Sequence, residues 1–233
     1  MTREDYIKKV FETYRLVGTL SDKNDCKALH LRHKTLAQDI VLHSFPKHFE
    51  AYDILCALSF DGLPEIYDSL SLEDGQIVLE EFINGVTVAE IMETGRYRYS
   101  GVKKVLKEVC SALSVLHERG LVHRDIKPEN IMIDKNGRVV LIDFNTSRII
   151  KKASKDTVIM GTAGYASPEQ LGVAQSDART DIYAAGILIN VMLTGKHPSE
   201  ELAKGRPGRI VKKCTQVSPD DRYQSAKELS KAL

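Results

Sequence analysis

Three polar strings, in fixed order through the second half of the chain, constrain this sequence more than any other feature. His123 to Asn130 reads HRDIKPEN, Asp143 to Asn145 reads DFN, and Gly161 to Glu169 reads GTAGYASPE. Regular structure surrounds them. Val102 to Leu116 sets Val105, Val109, Ala112, Leu113 and Leu116 on one helical face, and Gly120 fits its stop. Ile131 to Ile133 and Val139 to Ile142 flank Lys135-Asn136-Gly137 and read as a hairpin. Thr180 to Leu193 reads as an apolar helix with Gly195 just past its end, and Ser218-Pro-Asp opens a final helical stretch toward Leu233. The first part of the chain differs. Leu16 to Leu20, Lys27 to Arg32 and Asp39 to Phe45 are strand-length runs separated by Asp, Asn and Lys. FEAYDILCALS has helical spacing. Ile77 to Phe82 is strand-like again and ends at the turn signal Asn84-Gly85.

Composition narrows the class. A chain of 233 residues, 42% hydrophobic, buries a sizeable core. Its net charge of +1 (33 basic and 32 acidic residues) argues against a coat for nucleic acid or an anionic membrane. Cys26, Cys56, Cys110 and Cys214 form no C-x-x-C pair, so reduced thiols are expected rather than a zinc site or a disulfide framework. The N-terminus mixes both charges without the apolar core of a signal peptide. The most apolar stretch, Ala184 to Leu193, is far shorter than the ~20 residues of a membrane span. No anchor, appended sensor or second domain is expected.

In order and spacing the three strings resemble the signature set of the protein kinase family: catalytic loop, metal-binding triplet and A-P-E element. The resemblance covers nearly the whole chain. It implies a single α+β, bilobal domain over 1–233, with a small strand-rich N-lobe and one main helix over about 1–80, a hinge at about 81–85, and a larger helical C-lobe over about 86–233. It implies transfer of a phosphoryl group from ATP, with Mg2+, to a protein hydroxyl, a reaction carried by positioning and charge neutralisation. Asp125 sits where the family has its catalytic base, and Lys127 where the Ser/Thr type contacts the transferred phosphate. Asn130 and Asp143 match the magnesium ligands; phosphate oxygens complete such a shell. Any one of these residues also fits a turn cap, but the ordered set does not.

Further matches belong to the scaffold. Glu169 and Arg222 resemble the family's buried ion pair, Asp181 the aspartate beneath the catalytic loop, and His123 and Phe144, with Leu55 and Ile66, its hydrophobic spine. The GTxGYxxPE segment, with Thr162, points to Ser/Thr protein substrates rather than small molecules. Arg124 matches an arginine that reads an activation-loop phosphate. Ser154 and Thr157 are candidate acceptors, each more simply an ordinary loop hydroxyl. GTAGYASPEQ and PDDRYQSAKEL resemble bacterial kinases, which implies a bacterial cytoplasm, with a protein substrate or regulatory protein as partner and neither nucleic acid nor membrane.

The first half departs from the family. Ser21, Lys23 and Cys26 fall at the three glycines of the phosphate loop, where side chains obstruct the approach of backbone amides. His43 falls at the strand lysine, and its partner glutamate falls on Ala51, with Glu50 one residue away. Val41 replaces the alanine over adenine; Ala28 and Met132 are the other apolar contacts expected there. Glu80 takes the gatekeeper position, and Glu81 to Ile83 the hinge. Asn145 replaces the glycine of D-F-G, a change that a residue tolerant of positive φ makes mild. These departures resemble a pseudokinase with impaired transfer. An active atypical kinase, with Lys23 or Lys27 in place of the strand lysine, and a non-catalytic binding module are the alternatives.

Overall fold

A short N-terminal helix, α1 (Arg3–Thr13), begins the structure. The computed structural model describes residues 1–150, 162, 164–171 and 175–233. It divides the chain into two units: Met1–Phe60 with Pro64–Asn84, and Asp61–Leu63 with Gly85–Leu233.

The first unit is built on β1 (Tyr14–Lys23), β2 (Cys26–His33), β3 (Asp39–Phe45), α2 (Glu50–Cys56), β4 (Ile66–Leu72) and β5 (Gly75–Glu81). The five strands form one antiparallel sheet in the order β1-β2-β3-β5-β4. Leu31, Ile40, Leu42 and Ile77 make a buried cluster on one face, and Tyr6, Ile7 and Val10 of α1 pack against it. Thr2 and Asp5 cap α1 reciprocally. This helix was not anticipated. Its apolar residues are too few to stand out from a charged N-terminus, so its position is evident only once the sheet offers a face to cover.

The pleat sorts the other side chains. Ala28 pairs with His43, His30 with Val41, Val41 with Glu80 and His43 with Val78. Ala28, His30, Val41, His43, Val78 and Glu80 therefore share the face opposite α1. Lys27 pairs with Ser44, in phase with Leu29 and Leu31, and so belongs to the α1 face. β1 and β2 are joined by Asn24 and Asp25 alone, at φ 52° and 61°. Two consecutive positive φ values define the tight primed turn of a two-residue hairpin.

The second unit holds β6 (Gly85–Thr87), α3 (Val88–Glu93), α4 (Tyr99–Glu118), β7 (Leu121–Val122), β8 (Ile131–Asp134), β9 (Val139–Leu141), β10 (Arg148–Ile149), α5 (Ala178–Thr194), α6 (Gly205–Cys214) and α7 (Ala226–Ala232). β6, β8 and β9 form a small sheet, and β7 pairs with β10. The result is an α+β fold of one strand-rich and one helix-rich unit, the former with the expected helix α2 and, in addition, α1. α5 is buried around its circumference, as a helix apolar on all sides must be. A Cβ at Gly186 would meet the Cys214 Cβ at 2.3 Å, so glycine is what lets α5 and α6 approach. The final helix starts at Ala226 rather than Ser218; Pro219–Asp221 form a single tight turn before it.

One ion pair ties these helices to the segment before α5. Arg222 is 1% exposed and places its five N–H groups on five acceptors. Nη1 reaches Glu169 Oε1 (2.6 Å) and the Arg179 carbonyl (3.0 Å); Nη2 reaches Glu169 Oε2 (2.9 Å) and the Val217 carbonyl (2.9 Å); Nε reaches the Gln216 carbonyl (2.8 Å). Thr180 Oγ1 donates a further hydrogen bond to Glu169. Removing one partner of a buried pair leaves an uncompensated charge at a cost of about 3–5 kcal/mol. Arg222→Met is expected to lose stability of that order in denaturant titration, and a loss under about 1 kcal/mol contradicts this account.

Candidate active site

The polar strings of the second unit are organised by a buried carboxylate. Asp181 lies in the first turn of α5 and is 0% exposed. Its Oδ2 accepts the His123 backbone N–H at 2.9 Å and lies 2.8 Å from His117 Nε2; its Oδ1 accepts the Arg124 N–H at 2.7 Å. Burial acts to raise the Asp181 carboxyl, but His117 and the backbone donors outweigh it and hold it below the usual carboxylate range. The loop bends sharply there, with Arg124 at φ 70°.

His123 follows from the same packing. Its Nδ1 accepts the Asp125 N–H (3.3 Å), and its Nε2 faces the Ile142 carbonyl (3.2 Å), which a neutral ring with Nε2–H satisfies at both ends. Burial pushes its pKa down, against the pull of Asp181, Asp143 and Asp125. Its ring meets Phe144 edge-on at 5.0 Å. Leu55 and Ile66 are buried in the first unit.

Asp125 is thereby held in a cluster of donors. Its Oδ1 accepts Thr162 Oγ1–H at 2.7 Å. Its Oδ2 faces Lys127 Nζ at 2.7 Å and accepts from Asn130 Nδ2 at 2.9 Å. Lys127 Nζ also donates to Thr162 Oγ1 at 2.8 Å. Burial acts to raise the Asp125 carboxyl, yet Lys127 and Thr162 prevail and keep it below its ordinary value. The carboxylate stays ionised and oriented, with a hydroxyl oxygen at the distance from which a general base takes a proton.

The donor set beside it suits magnesium. Asn130 Nδ2 gives hydrogen bonds to the Asp125 carbonyl and carboxylate, so Oδ1 is the atom that would face a cation. The Ile142 N–H donates to the Asn130 carbonyl at 2.9 Å, so Asp143 follows one residue from that contact. One amide oxygen and one carboxylate match a cation that keeps water and phosphate in its shell. Among the described residues no group of three or more His, Cys, Asp or Glu could hold a metal unaided. The left-handed backbone falls on Asp143 (φ 66°) and not on Asn145, so the tolerance expected of Asn145 is not called upon.

Two supporting residues were not anticipated. His117 closes on Asp181 from the last turn of α4. Gln170 Nε2 donates to the Arg124 carbonyl (2.8 Å) while its Oε1 accepts the Ser167 N–H (3.0 Å), joining the SPEQ segment to the catalytic loop. No sequence spacing relates either residue to its partner. The Arg124 guanidinium is held below its ordinary pKa by burial and by neighbouring Arg148. Thr157 and Ser154 lie outside the described residues.

In the first unit, Ala28 and His43 are half-buried and Val41 buried on the face opposite α1. His43 Nε2 lies 3.4 Å from Glu80 Oε2, a partner on β5. Ala51, at the expected helix position, is 3% exposed and carries only a methyl. Glu81 ends β5, donates its N–H to the Glu65 carbonyl (2.8 Å) and accepts the Glu65 N–H on its carboxylate (3.2 Å). Ile83 is buried two residues on. Met132, in the second unit, is half-buried on β8 between Thr87 and Val140.

Comparison with protein families accords with this geometry. The protein kinase domain matches residues 29–233, and the chain belongs to that family. The match begins within β2, after α1, β1 and the Asn24-Asp25 turn. Among curated proteins, the serine/threonine-protein kinase PknB of Mycolicibacterium smegmatis is 31% identical over 205 residues, 74% of this chain and 33% of that protein. PknL of Mycobacterium tuberculosis is 40% identical over 140 residues, 59% of this chain and 35% of that protein. An Aurora kinase of Eremothecium gossypii is 30% identical over 198 residues, 84% of this chain and 54% of that protein. The chain thus spans about a third of the length of the bacterial relatives. No helix among the described residues is long and apolar enough to cross a membrane.

His123 makes stability pH-dependent with a definite sign. An unfolded histidine binds a proton near about pH 6.5, while the folded ring resists it. The unfolded state therefore gains protons as pH falls, and stability drops below that pH. His123→Phe is expected to reduce this loss by up to about 1.4 kcal/mol per pH unit in denaturant titrations between about pH 7 and pH 5. Equal pH slopes in the two proteins contradict it.

Proposed function

We propose that the two units act as one Ser/Thr protein kinase-like domain that binds Mg-ATP and passes its phosphoryl group slowly to a protein hydroxyl, in the manner of a pseudokinase that keeps its transfer loop. The observation that carries this reading is a contrast between the units. Asp125, Lys127, Asn130 and Thr162 form a closed hydrogen-bond cluster, whereas the strand-lysine position holds His43 against a carboxylate. In this reading Asp125 orients the substrate hydroxyl and accepts its proton, and Lys127 steadies the oxygens in transfer. Asn130 and Asp143 would hold magnesium, which supplies charge neutralisation on the phosphates. Ala28, Val41 and Met132 would offer apolar surface to the base, and the backbone of Glu81 to Ile83 its hydrogen bonds. Arg124 would meet a phosphate in the activation segment, with Thr157 one acceptor. The partner is a protein substrate or a regulatory protein, and the cytoplasm its compartment.

A second reading, an active kinase with a relocated lysine, draws support from the hairpin register for one residue only. Lys23 pairs with Cys26, in phase with Ala28 and His43. Lys27 lies on the α1 face, where its Nζ is 3.5 Å from Asp22. Lys23 is thus the sole member of the pair on the face that carries His43.

Calorimetry with Mg-ATP and a turnover assay on wild type and Asp125→Asn test the proposal. The expected result is saturable binding with turnover below the ~1–100 s⁻¹ typical of kinases, reduced a further ~100-fold or more by Asp125→Asn. Under the second reading Lys23→Met impairs turnover and Lys27→Met does not. No binding at millimolar ATP overturns both in favour of a non-catalytic binding module.

A further inference from the structure

His43 and Glu80 are an unusual pair for the middle of a sheet. Glu80 stands opposite Val41 and Val78 opposite His43, so Glu80 reaches His43 along the diagonal of an antiparallel pair. Their side chains are 14% and 7% exposed. Phe45 lies nearly parallel to the imidazole at 5.5 Å, and Tyr52 of α2 tilts toward it at 6.1 Å. A carboxylate so withdrawn from water is costly unless positive charge or donors face it. Protonated His43 supplies that charge and makes the pair neutral. Neutral His43 leaves a net negative charge on the face that also carries Ala28 and Val41.

Other described groups of this unit lie around the ring. Its register neighbours, Ala28 on β2 and Val78 on β5, do not ionise. Tyr52 presents a phenol from α2. The acidic residues of that helix are Glu50 and Asp53, and Asp53 is bound to His48 and Ser69. Lys23 shares the face at the hairpin end. Glu80, 3.4 Å from His43 Nε2, is a carboxylate whose effect on an incoming anion depends on the His43 proton.

We infer that His43 and Glu80 form a proton-dependent phosphate site: a nucleoside polyphosphate binds the form with His43 protonated, and affinity falls as pH rises. This rests on the nucleotide-binding reading above. The His43 proton faces the Glu80 carboxylate at 3.4 Å, and the proton admits the phosphates. One proton taken up on binding corresponds to about a tenfold loss of affinity per pH unit above the histidine pKa.

The test is calorimetry of the whole chain with Mg-ATP and, separately, adenosine, from about pH 6.5 to pH 8.5 in buffers of different ionisation enthalpy. The expected result is an ATP affinity that falls about tenfold per pH unit with proton uptake, and an adenosine affinity that stays level. His43→Lys is expected to bind ATP with a flat profile. Glu80→Gln is expected to shift the fall to lower pH, and it decides the matter if His43→Lys fails to fold by circular dichroism. Equal ATP slopes in wild type and His43→Lys overturn the inference, as does an adenosine profile as steep as that of ATP. Binding by His43→Lys with none by wild type at acid pH overturns it while leaving the nucleotide reading intact. Absence of ATP binding in all three proteins removes both.

Discussion

The second unit depends on a charge that water never reaches. Asp181 is buried at the start of α5, and it accepts two consecutive backbone N–H groups from the catalytic loop and faces the imidazole of His117. A buried carboxylate is tolerable only when its lone pairs are filled. Here they are filled by the loop that must be held, so the cost of burying the ion and the ordering of the loop are one interaction. His123 is fixed next, and through it Phe144 and the Asp125 backbone. The cluster of Asp125, Lys127, Asn130 and Thr162 stands on that base. Glu169 and Arg222 repeat the device further along the chain, with all five guanidinium hydrogens on acceptors.

The first unit follows a different constraint. Its side chains are sorted by the pleat, which gives one face of the sheet to α1 and the other to Ala28, Val41, His43 and Glu80. Near the hairpin the same alternation separates Lys23 from Lys27. A two-residue turn with two positive φ values leaves no slack between β1 and β2. His43 finds its carboxylate on the neighbouring strand, at Glu80. The family match begins at residue 29, past this hairpin.

Much of this was legible in the amino-acid sequence. The strings from His123 to Asn130, at Asp143 and around Glu169 carried the family, because chain order and spacing are one-dimensional and survive without coordinates. Helices α4 and α5 and the β8–β9 hairpin were equally accessible, since apolar periodicity and turn residues act over a few residues.

Only the tertiary structure decided which side chains meet. Nothing in the spacing of His43 and Glu80 indicates a pair, because it arises from the register of two strands 37 residues apart (80 − 43). His117 and Gln170 found their partners through helix packing, and α1 found its place because a sheet face needed cover. The left-handed backbone of the D-F-N triplet fell on Asp143 where sequence analogy drew attention to Asn145. The sequence by itself determined the residues available to the catalytic loop. Long-range register and burial, which no local pattern encodes, determined which charges meet, as His43 and Glu80 do.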